Sequence, residues 1–271
     1  MNITEIKQKI ENGAFDKDFS MLYGDVSAAR ARYTAACDSF CDIFSERDNI
    51  RLFSAPGRTE VGGNHTDHQH GCVLAGGVNL DVIAVVAPNN DGKVRIKSEG
   101  YDMDTVDICK LEKDESEHGC ASALIRGVLS RFKELGCTLS GFNAYTTSNV
   151  LKGSGLSSSA AFEVLVGNIV NGMFFEAKAD EITVAKIGQY AEREYFGKPC
   201  GLLDQMASSL GGFTYADFFD PAEPITEKIN LDIHSFGYTL CVVDTGGNHA
   251  NLTQDYADIT IECKKISNAL G

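Results

Sequence analysis

The chain is short of positive charge. Its 271 residues carry 24 Lys and Arg against 38 Asp and Glu, a net charge of −14 with histidine neutral, and no basic cluster interrupts that balance. Nucleic acids and anionic membranes attract basic surfaces, so neither is expected as a partner. No apolar run is long enough to span a bilayer, and the first eight residues hold no apolar signal core. Paired cysteines are missing too. The nine cysteines are scattered without a C-x-x-C pair, the pattern of reduced, mostly buried thiols in a cytoplasmic protein rather than of a disulfide framework. Internal repeats and low-complexity linkers are also lacking. What is left is an ordinary globular composition, 43% hydrophobic and 23% charged, long enough for one large domain or two modest ones. Oligomeric state is not legible in it.

One stretch organises what is there. Gly153-Ser154-Gly155-Leu156-Ser157-Ser158-Ser159-Ala160 follows a strand-like run (Phe142–Thr147) and opens a helix-like run with apolar Phe162, Val164, Leu165, Ile169 and Val170. The two glycines let backbone approach a ligand closely. The first amides of the helix lack intrahelical partners and carry partial positive charge, which makes an anion site. The serines can cap the helix, bind phosphate oxygens or sit on a magnesium ion. The usual P-loop is absent, because Lys152 precedes the glycines, and the third glycine of a dinucleotide fingerprint is Ser158 here. The order strand, glycine, serine, helix reads as phosphate binding; the plain alternative is a Gly/Ser turn with a serine cap.

Around this stretch the pattern alternates between helix and strand. Residues 2–48 read as a helical scaffold. A short strand over 51–57 ends at Pro56-Gly57, and a mostly apolar strand runs from Val78 to Ala87. Lys93–Lys97 alternates and is expected to form a hairpin with it across Pro88–Gly92. Helices are expected over 119–135, 180–195 (capped by Asp180), 202–210 and 255–270, with strands over 213–219 and 238–243.

Three polar clusters carry candidate chemistry. His65, Asp67, His68 and His70 crowd six residues, which suits zinc; the other reading is a polar loop, with Arg58, Asn64 and Asp67, that hydrogen-bonds a polyhydroxylated ligand. Asp204 opens an apolar helix after a glycine-rich turn. There it is either a first-turn acid favoured by the helix dipole or a buried carboxylate acting as general base. Glu192 is either a magnesium ligand or a solvated helix charge.

The Pro56-Gly57-Arg58 turn with His65-Thr66-Asp67, the Gly153-to-Ala161 loop, and Pro199-Cys200-Gly201 with Asp204-Gln205 together resemble the GHMP kinases, and within them the galactokinases, whose sugar signature runs G-R-x-N-L-x-G-E-H-T-D-Y. The resemblance covers roughly residues 51–260. It implies an ATP- and Mg²⁺-dependent kinase acting on the anomeric hydroxyl of galactose or a related hexose. The implied fold is α+β: a two-layer amino-terminal domain like the second domain of ribosomal protein S5, over residues 1–212 with a helical extension, then, over 213–271, the start of a ferredoxin-like domain or a domain-connecting segment. Asp204 matches the catalytic aspartate and Arg58 its partner. Residues Gly153 to Ala160 match the nucleotide loop; Ser158, Ser159 and Glu192 match the metal residues. His65 and Asp67 match sugar contacts, and Tyr256 sits near another across a gap. Three departures stand out: Glu60 replaces the usual Asn, Asn64 the usual Glu and His68 the usual Tyr. Either Glu60 restores the lost carboxylate from a neighbouring turn, or the pocket prefers another sugar. The family's third glycine-rich motif is not found after Gly212, so the chain reads as the amino-terminal part of a longer kinase. The alternative of another class is a non-catalytic sugar or ATP sensor on the same fold.

Overall fold

A computed structural model of the chain describes residues 1–150, 153–243 and 253–270, the side chains of 253–257 and 260 excepted. The architecture is α+β, built on one seven-stranded sheet. Its strands are β1 (Arg51–Gly62), β2 (Cys72–Pro88), β3 (Lys93–Ser98), β4 (Met103–Asp107), β5 (Phe142–Ser148), β6 (Phe213–Asp217) and β7 (Ile225–Ile229). The helices are α1 (Ile3–Glu11), α2 (Asp16–Tyr23), α3 (Val26–Ile43), α4 (Ala121–Glu134), α5 (Ser158–Phe174), α6 (Glu181–Tyr190), α7 (Leu203–Leu210) and α8 (Thr253–Leu270).

Strand β2 is the spine. Its β-branched run favours extended backbone, and successive side chains point to opposite faces. Val82, Ala84 and Val86 enter the core beneath α4, α5 and α6, while Ile83, Val85 and Ala87 enter a second core beneath α1–α3. Burying Val82, Ile83, Val85 and Val86 contributes about 1.5–3 kcal/mol each, which outweighs the entropic cost of Gly76 and Gly77 in the same strand, about 0.5–1 kcal/mol apiece. Strand β1 pairs along β2 from Leu74 to Val86, so β5 (at Val82–Pro88) and β6 (at Cys72–Gly76) divide its other edge. Residues 213–229, expected at the start of a second unit, thus contribute β6 and β7 to this same sheet.

The helical extension is tied down by a buried acid. Asp81, 3% exposed, accepts from the Tyr23 hydroxyl at 2.6 Å and from Arg32, whose guanidinium also reaches the carbonyls of Asp81 and Thr147. Asn2 and Glu5 form a reciprocal cap on α1, and Asp25 caps α3.

Three expectations are corrected here. Strand β1 does not stop at Pro56-Gly57 but continues to Gly62, with a register shift between Pro56 and Arg58. A bulge absorbs the turn signal and re-aims the next side chain. Lys93–Lys97 does not form a hairpin with the preceding strand: β3 pairs with β4 and, in parallel, with β5. The turn after β2 is tied instead to β3 and β5: the Asn89 amide donates to Gly141 O, and its side-chain nitrogen donates to Lys93 O and Asn143 Oδ1. Residues 238–243 are not a strand.

Candidate active site

The three motifs meet at the bulge in β1. Gly57 has no side chain because a Cβ there would lie 2.9 Å from Leu156 O and 3.1 Å from Val150. The close approach lets the Arg58 amide donate to Leu156 O at 3.1 Å, and Arg58 Nη1 donate to Gly155 O at 2.7 Å. From the other side, the Ser208 hydroxyl of α7 donates to Pro56 O at 2.7 Å. The sugar-signature strand, the glycine–serine loop and the α7 helix are therefore one unit.

Arg58 and Asp204 sit at its centre. Arg58 Nε and Nη2 each lie 2.7 Å from Asp204 Oδ1, and the Ser157 hydroxyl donates to Oδ2 at 2.6 Å. Arg58 is 6% exposed, whereas the Asp204 side chain keeps 28% of its surface exposed. Burial alone would raise the Asp204 carboxyl; Arg58, the Ser157 hydroxyl and nearby His65 outweigh it and hold the group below the usual carboxylate range. Because the Ser157 hydroxyl is spent on Asp204, it does not cap α5, although it occupies the cap position in left-handed backbone (φ 58°). The first amides of α5 therefore face the loop without that cap. Gly153 and Gly155, both at φ 76°, complete the turn.

A second cluster lies deeper. Helix α6 runs into a wider π turn, Ala191–Phe196, which carries Glu192 inward, 2% exposed. Glu192 Oε1 accepts from the Ser159 hydroxyl at 3.1 Å and from Lys198 Nζ at 2.9 Å. Its Oε2 accepts from Gln205 Nε2 at 2.8 Å, and the same nitrogen donates to Glu163 Oε2 at 2.9 Å. Burial, then the adjacent Glu192, hold the Glu163 carboxyl well above its ordinary range. A proton on Glu163 supplies one donor to a cluster in which Glu163 Oε1 and Gln205 Oε1 have no partner. Burial works against the charged Lys198, yet Glu192 beside it raises its pKa.

The remaining sugar-signature residues line the outer rim. Gly63, Asn64 and His65 all adopt positive φ, so the chain doubles back and brings His65 over Glu60. Glu60 Oε1 accepts the His65 amide at 2.8 Å, and the imidazole stands 3.7 Å from Glu60 Oε2 and 3.9 Å from Asp67 Oδ1. Asp67 is 5% exposed; its Oδ2 accepts the Leu203 amide at 3.1 Å at the start of α7, and its Oδ1 is buried without a hydrogen bond. Asn64 and His68 are exposed. His70 is turned away, its Nδ1 2.9 Å from Phe219 O. Among the described residues no three His, Cys, Asp or Glu side chains converge as a metal-ligand set. Ser158 lies at the head of α5 with its neighbour Ser159 on Glu192. The Tyr256 side chain lies outside the described residues.

Residues 38–88 match the galactokinase galactose-binding signature and residues 123–212 match the GHMP kinases N terminal domain. The chain carries a GHMP kinases N terminal domain. A galactokinase of Bacillus subtilis is 30% identical over 83% of this chain and 57% of its own length, and one of Lactobacillus helveticus is 34% identical over 81% and 56%. A solved Lactococcus lactis galactokinase, complexed with galactose, superposes with a TM-score of 0.67 at 25% identity, covering 74% of this chain and 52% of that one. A D-glycero-D-manno-heptose 1-phosphate kinase from Bacteriodes thetaiotaomicron shares the fold, at 22% identity and a TM-score of 0.56, covering 68% of this chain and 61% of that one. The chain thus spans somewhat over half the length of the curated galactokinases it matches.

Within this site, sequence reasoning missed Glu163, Lys198 and the inward role of Gln205, and it assigned Ser157 only to the nucleotide loop. Glu163 had a signal: it is the one acid in the strongly apolar first half of α5, a position that costs free energy unless paired. Lys198 had none, because a lysine beside a proline in a glycine turn reads as solvated.

Proposed function

We propose that this chain carries the phosphoryl-transfer site of an ATP-dependent sugar-1-kinase that converts galactose, or a closely related hexose, to its 1-phosphate. The observation that carries the reading is the Arg58–Asp204–Ser157 arrangement at the mouth of the glycine–serine loop. It is the chemistry of a kinase rather than of a sensor, since a sensor has no need of a carboxylate fixed by two donors beside a phosphate cradle.

Asp204 orients the anomeric hydroxyl. A carboxylate held below its usual range is a weak base toward an alcohol, so it aligns the hydroxyl first and takes its proton late, as the new P–O bond forms. Arg58 keeps that carboxylate ionised and places its guanidinium where charge on the transferring phosphoryl group is stabilised. Residues 153–160 cradle the nucleotide phosphates with loop and helix amides. Ser159 and Glu192 fit magnesium: both are hard oxygen donors, they converge within 3.1 Å, and Glu192 already attracts the Lys198 cation at the same oxygen. Ser158 lies beside them. When bound, the ion supplies neutralisation of phosphate charge.

Asp67 Oδ1, a buried acceptor without a hydrogen bond, suits a sugar hydroxyl. His65, Glu60 and Asn64 form the rim around it, with Tyr256 a further candidate contact. Because Glu60 already holds the His65 amide, it acts on the sugar chiefly by orienting His65. We take galactose as the substrate, with selectivity altered at a hydroxyl distant from the anomeric centre. Calorimetric binding of a panel of free hexoses, paired with ADP release in the presence of MgATP, tests the reading. Galactose is expected to bind and to be turned over. Absence of binding by every hexose would remove the sugar site; binding without ADP release would favour the sensor.

A further inference from the structure

Behind the Arg58–Asp204 pair, one side-chain amide joins two buried acids. Gln205 Nε2 donates to Glu163 Oε2 at 2.9 Å and to Glu192 Oε2 at 2.8 Å. Gln205 and Glu163 are fully buried and Glu192 nearly so. Both amide hydrogens are committed to carboxyl oxygens, and the reversed amide would set its oxygen against Glu192 Oε2, so the orientation is fixed by that partner. The α6 helix makes room: a Cβ at Gly188 would come within 3.2 Å of both Gln205 Cγ and Glu163 Cβ.

The consequence falls on Glu192. With Oε2 held by the amide, Oε1 is the oxygen that meets the Ser159 hydroxyl and Lys198 Nζ. A carboxylate lacking that second bond can rotate, and its oxygens then exchange places. Gln205 also follows Asp204 in α7, and neighbours on a helix point about 100° apart. The helix that aims Asp204 into the cleft therefore aims Gln205 at Glu192.

We propose that Gln205 is a positioning residue: its amide, anchored by Glu163, pins one oxygen of Glu192 so that the other is presented beside Ser159 to a divalent cation. The inference rests on the reading of Ser159 and Glu192 as the magnesium residues. It couples metal placement to α7, and so to the orientation of the base.

Manganese(II), a hard oxygen-seeking probe visible by electron paramagnetic resonance, is titrated with ATP into the chain and into Gln205→Leu, Glu163→Leu and Glu163→Gln. Outer-shell partners of metal ligands typically control 10–100-fold in affinity, so Gln205→Leu and Glu163→Leu are expected to weaken binding by about tenfold or more. Glu163→Gln keeps an oxygen that accepts from Gln205 Nε2 and is expected to bind as the parent chain does. A purely structural role would not be rescued in this way. Parent-level binding by Gln205→Leu overturns the proposal while leaving the metal reading intact; failure of the parent chain to bind manganese overturns both. If the leucine variants do not fold, the Gln205 side-chain amide signals of the parent chain decide by NMR. They shift on addition of MgATP if Gln205 holds Glu192, and their constancy overturns the proposal.

Discussion

Arg58 and Asp204, 146 positions apart, meet through two guanidinium nitrogens on a single carboxylate oxygen, each at 2.7 Å. The other oxygen is left to Ser157. This division of labour makes both flanking contacts testable. A lysine at position 58 supplies a point charge but not the fork, nor the bond to Gly155 O. Arg58→Lys is expected to lower turnover and to loosen the glycine–serine loop, seen as faster amide exchange at residues 153–157.

Ser157→Ala removes a hydrogen bond that favours ionised Asp204. The carboxyl then moves up toward its ordinary value of 3.8. Activity that depends on the carboxylate is lost as pH falls through the folded-state value, so its acid limb is expected to shift to higher pH in the variant. A pH–rate profile of both chains checks this; an unchanged acid limb would show that Ser157 does not tune Asp204.

Burial makes Glu163 a pH-dependent liability. Its folded-state pKa is raised, so the folded chain keeps a proton that the unfolded chain releases above about its ordinary value of 4.5. Stability contributed by this group therefore falls as pH rises from there toward the folded-state pKa. Glu163→Gln abolishes the dependence. Its melting temperature relative to the parent is expected to rise as pH is raised from about that ordinary value of 4.5, measured by thermal unfolding.

Gly201 is demanded by space and not by backbone conformation. A Cβ there would stand 1.7 Å from Asp67 Oδ2, the oxygen that receives the Leu203 amide. Gly201→Ala must displace Asp67 from the start of α7. Overpacking of this kind costs about 1–3 kcal/mol, to be read from urea unfolding.

How far the sequence carried the account depended on locality. The glycine–serine loop, the Asp180 cap and the apolar faces of α4 and α5 were legible because their signals lie within one or two turns of chain. The pairing of Arg58 with Asp204 followed only from the family resemblance, since nothing local to either residue names the other. The course of β1 past Pro56 was not legible, because the bulge that accommodates it depends on packing against Leu156. The place of β3 beside β5 was hidden for the same reason: strand order is set by long-range pairing and not by the turn that leaves β2. Asn64 shows the two levels at once. Its substitution for the family glutamate reads as altered chemistry, yet it also sits at φ 52°, where asparagine is among the residues best tolerated.

The most direct measurement of the central claim is where the phosphoryl group lands. Galactose labelled with carbon-13 at its anomeric position is incubated with MgATP and the protein, and the product is followed by carbon and phosphorus NMR. The account predicts splitting of the anomeric carbon signal by phosphorus, and a loss of rate of about 10²–10⁴-fold in Asp204→Asn. Phosphorus on another carbon, or turnover unaffected by Asp204→Asn, would contradict it.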